Sequence, residues 1–90
     1  DLQRENFTKA HESGVIIVYG TDAGVYPHGD NAKQFRYMVD LGMSNLEAIQ
    51  SATIVAAKVM GWEDKVGQIQ QGYFADLVAV KDNPLLNIQA

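Results

Sequence analysis

The residues able to do chemistry are few, and they gather in one stretch. Gly20-Thr21-Asp22-Ala23-Gly24 runs on to Pro27-His28-Gly29, so a carboxylate and an imidazole share one glycine-punctuated segment. An ionised Asp can take the proton of a water, and a neutral His can do the same, hold a metal or face a substrate. The other histidine, His11, stands well upstream, and the sequence has no His-x-His, no His-Glu-x-x-His and no cysteine. A zinc site needs three or four protein ligands, so this chain cannot complete one from its own side chains. Without cysteine, thiolate chemistry and disulfides are excluded, and any metal must rest on His and carboxylate ligands. A phosphate cradle is disfavoured too: neither G-x-G-x-x-G nor G-x-x-x-x-G-K-[ST] occurs, and Asp22 would repel an anion.

Each of these residues also has an ordinary structural use. Asp22 could be a turn or cap residue where a strand meets a loop. His28 could face a substrate or stand solvated in its loop. His11 falls in a helix away from that loop and is expected at the surface. Asp30 and Asn31 read as a helix cap rather than a ligand set. Tyr19, Tyr26, Phe35, Tyr37, Trp62, Tyr73 and Phe74 form no regular stripe and read as core and interface anchors.

The elements that must position the segment follow from periodicity. Residues 2–13 are rich in helix formers and stop at Ser13-Gly14, where Gly14 suits a left-handed terminus. Val15-Ile16-Ile17-Val18-Tyr19 is apolar at every position, which predicts a central parallel strand covered on both faces. The loop after it is long enough to hold a site. Ala32, Phe35, Met38, Val39 and Leu41 mark one face of a helix over 31–41, with Gly42 as its stop. Ser44-Asn45-Leu46-Glu47 forms a capping box, with Met43 placed to staple onto Ala48, and a helical stretch continues to Met60 and ends at Gly61. Alanines at 48, 52, 56 and 57 permit close helix approach. Residues 66–69 and 76–80 read as two further strands joined by a turn containing Gly72, and Asn83-Pro84 closes the region.

Composition bounds the rest. The 90 residues are 47% hydrophobic and 20% charged with two prolines, the make-up of one globular unit and not of a disordered chain. A net charge of −4 and no basic run argue against nucleic acid and anionic membrane as partners. No apolar run approaches the roughly 20 residues that span a bilayer. No targeting segment is visible, and a cytoplasmic location is the expectation. One feature conflicts with a self-contained unit: a strand apolar on both faces needs neighbours that 90 residues scarcely supply. The chain therefore reads as a piece of a larger protein.

Taken together the motifs carry a resemblance. Strand 15–19 with Gly20-Thr21-Asp22-Ala23-Gly24 and Pro27-His28-Gly29 resembles the eighth strand of the metal-dependent amidohydrolase superfamily and the loop after it. Ser51-Ala52-Thr53, Ala56-Ala57 and Met60-Gly61 resemble its following helices. Val66-Gly67-Gln68-Ile69, Gly72 and Ala75-Asp76-Leu77-Val78, with Asn83-Pro84-Leu85, resemble its closing strands. The combination looks most like the branch of imidazolonepropionase-related hydrolases and Xaa-Pro or Xaa-Arg dipeptidases.

The resemblance implies an α/β fold: residues 1–62 would end a (β/α)8 barrel, and 63–90 would return as strands of a small composite β-sandwich. It implies hydrolysis of an amide or peptide C–N bond in a small-molecule or dipeptide substrate, with zinc, one or two ions, as cofactor. Asp22 would be both metal ligand and proton shuttle, and His28 a substrate-binding residue. Barrel sites lie at the C-terminal ends of strands, where Asp22 would sit. The superfamily's remaining ligands, a His-x-His, a carboxylated Lys or a Glu, and two further histidines, are missing here, so the chain alone is expected to be inactive. The rest of the barrel, or another copy in a homo-oligomer, is the expected partner. Two alternatives stay open, an autonomous non-catalytic interaction domain and a catalytically silent relative.

Overall fold

The computed structural model describes residues 2–20 and 31–89. Asp22, His28 and Asp30, with the rest of their segment, lie outside the described residues.

Helix α1 (Leu2–Glu12) presents Phe7 to the interior and ends as expected, with Gly14 at φ 80°. The Gly14 N–H donates to the His11 carbonyl and the Val15 N–H to that of Ala10, both 3.1 Å, so two orphan carbonyls of the last turn are satisfied. The chain then continues through residues 15–20 without regular secondary structure.

It re-enters through a single 3₁₀ turn, Asn31–Lys33, into α2 (Gln34–Asp40). The expected 31–41 helix is thus shorter, and its cap is Lys33 without a side-chain bond, not Asn31. Its apolar stripe is as read from Phe35 onward, with Met38 buried and Phe35 and Val39 half-buried, whereas Ala32 is exposed.

Helix α3 (Asn45–Ser51) starts with the capping box complete. Ser44 Oγ accepts the Glu47 N–H at 3.1 Å, and Glu47 Oε1 accepts the Ser44 N–H at 3.1 Å. Met43 and Ala48 on either side of it are both buried and form, with Met38, the core. Ala48 has no exposed surface at all, so α2 and α3 approach across a methyl group.

The helical stretch is interrupted at Ala52-Thr53 before α4 (Ile54–Met60). There the Ala52 and Thr53 N–H groups reach back three residues, to Ile49 and Gln50, and Thr53 Oγ1 donates to the Ile49 carbonyl at 2.9 Å. A Thr hydroxyl that bonds the preceding turn competes with the helix ladder. Thr53 leaves helical geometry, at φ −125° and ψ −96°. Helix α4 closes on Gly61 in the left-handed conformation, as its sequence requires.

Beyond α4 the chain folds back. The Phe74 N–H donates to the Lys65 carbonyl at 2.9 Å and Tyr73 Oη to that of Glu63 at 2.7 Å. Gly67, at φ 94°, seats its backbone against the Thr53 carbonyl and Ala57. Asn45 Nδ2 donates to the Leu85 carbonyl at 2.9 Å, and Ile88 packs on the core.

The expected strands 15–19, 66–69 and 76–80 form no ladder among the described residues. The physical reason is that strand residues need paired neighbours, and these segments do not pair with one another. Their side chains show the consequence: Val15 is 57% exposed, Ile16 73%, and Ile69 and Val78 87% each.

Candidate functional site

The segment that leads to Asp22 is held from one side only. Ile17 and Tyr19 pack on the Met38–Met43–Ala48 core, while Val15, Ile16 and Val18 face outward. The Tyr19 N–H donates to the Ser51 carbonyl at 2.9 Å, which fixes the end of the segment to the last turn of α3. Ser51 is itself buried, with Oγ donating to the Ala48 carbonyl at 2.6 Å. The Tyr19 ring stacks on Phe35, centroids 4.3 Å apart and planes at 29°.

His11 is at the surface as expected, but half-buried and bonded. Its side chain is 20% exposed, and Nε2 lies 3.0 Å from Glu47 Oε2, bridging the last turn of α1 to the first turn of α3. A Cβ at Gly42 would stand at an ordinary 3.7 Å from His11 Nδ1, so it is the φ of 121° and not the ring that calls for glycine there. The His11 hydrogen bond, followed by those from Ser44, holds the Glu47 carboxyl at about 2 against an ordinary 4.5. No local motif pairs two residues 36 positions apart, so periodicity could not reveal the contact.

An open groove of about 560 Å³ runs beside this pair, lined by His11, Ile16, Met43, Glu47, Val55 and Lys58 among others. It lies at the Val15 end of residues 15–19. Among the described residues no three His, Cys, Asp or Glu side chains come together as a metal site, and no helix is long and apolar enough to cross a membrane. The pair that does come together, His11 and Glu47, is committed to a helix-to-helix bond. The described residues therefore do not by themselves form a metal-binding set.

The amidohydrolase family description matches residues 1–90, the whole chain. The chain belongs to the amidohydrolase family. Among curated relatives of this amidohydrolase, ochratoxinase of Aspergillus niger is 36% identical over 91 residues, covering 99% of this chain and 18% of its own length. Among solved structures, a Xaa-Pro dipeptidase with methionine bound in its active site is 54% identical, with a TM-score of 0.90 over 94% of this chain and 21% of that one. A second structure, described as an amidohydrolase, is 33% identical with a TM-score of 0.83 over 96% of this chain and 21% of that one. The chain thus spans about a fifth of the length of the proteins it matches. The family generally uses metal ions.

Proposed function

We propose that these 90 residues are the C-terminal part of a metal-dependent hydrolase that cleaves an amide or peptide C–N bond, with a dipeptide as the substrate class. The observation that carries this reading is the 54% identity and 0.90 TM-score to a Xaa-Pro dipeptidase across 94% of the chain. In this reading residues 15–19 are the eighth strand of a (β/α)8 barrel, 1–62 the end of that barrel, and 63–90 strands of a composite β-sandwich. The outward Val15, Ile16 and Val18 support it, because burying such side chains is worth roughly 1.5–3 kcal/mol each and the absent part of the barrel would cover them. The exposed Leu77, Val78 and Val80 stand in the same relation to the sandwich.

Asp22 is the one carboxylate the chain brings to the site, and the remaining ligands of the metal, zinc in this reading, come from outside these residues. When bound, the metal makes a water acidic enough to ionise near neutral pH. The Asp22 carboxylate takes the proton of the attacking water and returns it to the departing nitrogen, so that the amine leaves neutral. His28 contacts the substrate.

The test is made in the full-length protein on Xaa-Pro dipeptides. Asp22→Asn is nearly isosteric and should keep the thermal midpoint while abolishing turnover, because an amide cannot accept the proton. His28→Ala should act mainly on KM. Near-normal kcat in Asp22→Asn would remove that residue from the mechanism.

A further inference from the structure

We propose that the open groove between the end of α1 and α4 is an internal interface of the parent protein, filled by an apolar stretch of its own polypeptide from outside these 90 residues. The inference rests on the reading of the chain as part of a longer hydrolase and extends it to α4. One wall of the groove is the start of the 15–19 segment, where Val15 and Ile16 are exposed. The other wall is α4, on which Val55, Lys58 and Val59 fall at helical spacing along one stripe. Ala57, on the opposite side of that helix, is buried where the returning chain passes at Gly67. Helix α4 is therefore apolar on two sides, and Val59, 62% exposed, marks the side that the described residues leave uncovered.

A small ligand, a second copy and the parent's own chain compete as occupants. A ligand site needs convergent polar groups to orient what it binds. Of the polar side chains on these walls, His11 and Glu47 are bonded to each other and Lys58 is exposed, which leaves Gln50. Apolar side chains contiguous across two elements mark an interaction face instead. A second copy reaches that face at its solution concentration, whereas chain within the same molecule reaches it at an effective concentration of about millimolar. Such chain is ample, because these residues span about a fifth of the length of the proteins they match.

The experiment uses the full-length protein with one added thiol and a maleimide as the probe. Val59→Cys places the thiol in the groove, and its reaction is followed by mass on the tryptic peptide 59–65. The rate in the folded protein is compared with that of the same variant unfolded in urea. Folding should slow the reaction by roughly 100-fold or more, and the ratio should not change when the protein is diluted. Val15→Cys, on the facing wall, should behave alike and carries the measurement should Val59→Cys not fold. A ratio near unity in either folded variant leaves the groove open and overturns the proposal. Protection that dilution relieves makes the occupant a second copy, and protection that appears only with an added Xaa-Pro dipeptide makes it a ligand, so either result overturns the proposal as well. Hydrolysis of the dipeptide by the parent protein is read separately. Turnover with an open groove removes this inference alone, while dilution-independent protection without turnover removes the proposed activity and leaves the interface standing.

Discussion

Gly67→Ala should be among the more damaging one-carbon changes in this chain, and Gly72→Ala measures how much of the damage is steric. Both glycines hold φ values closed to most L residues, 94° and 89°. A Cβ in this region costs about 1–2 kcal/mol, offset in part by about 0.4–1 kcal/mol from the stiffer unfolded chain. At Gly72 nothing lies within 4 Å of the new methyl, so the loss ends there. At Gly67 the methyl would stand 3.0 Å from the Thr53 carbonyl oxygen and 3.1 Å from Ala57 Cβ. Overpacking of this kind adds about 1–3 kcal/mol. The contact also presses on the oxygen that accepts the Ala57 N–H at 2.9 Å, the bond that opens α4. Native-state amide exchange in the full-length protein reads this locally: protection across 54–60 should fall by about fivefold or more in Gly67→Ala relative to Gly72→Ala, the fold-change for about 1 kcal/mol. Equal protection in the two variants would refute the claim that Gly67 is needed for the close approach of the returning chain.

Other outcomes follow from the charges. Because the Glu47 carboxyl is lowered in the folded chain, its contribution to stability is complete above the ordinary 4.5 and is lost as pH falls toward about 2. Acid titration of the thermal midpoint in Glu47→Gln should therefore be shallower in that window than in the parent, and an unchanged slope would dismiss the His11 and Ser44 bonds as its cause. The isolated 90 residues should bind zinc no more tightly than a surface carboxylate does, since one Asp does not make a site. Tight, stoichiometric zinc uptake in a calorimeter would contradict this and the division of ligands proposed above.

What could be read from the sequence is what is decided locally. The Ser44–Glu47 box, the left-handed stops at Gly14 and Gly61, and the Phe35–Met38–Val39 face depend on residues within one or two turns of each other, and all are found. The interruption at Thr53 is hidden because alanine and β-branched residues around it satisfy a helical pattern on either side. The His11–Glu47 bond is hidden from the sequence because the partner lies on another helix, a contact no spacing encodes. The run at 15–19 predicts two covered faces, yet among the described residues it is Ile17 and Tyr19 that pack on the core while Val15, Ile16 and Val18 stay exposed. Asp22 and His28 owe their candidacy to motif order, and both lie outside the described residues.

The interruption between α3 and α4 sets two structures in competition for one acceptor. In an unbroken helix the Ser51 carbonyl would receive the N–H of Val55, four residues on. Here it receives the N–H of Tyr19 instead. Straightening 51–55 would thus direct a helical donor at the oxygen that anchors Tyr19, and holding Tyr19 disfavours the straight helix. A substitution at Thr53 chosen only to raise helix propensity would gain locally and loosen the Tyr19 end of the segment. The irregular backbone at 52–53 is, in this sense, a hinge pin that couples α3 and α4 to the segment ending at Tyr19.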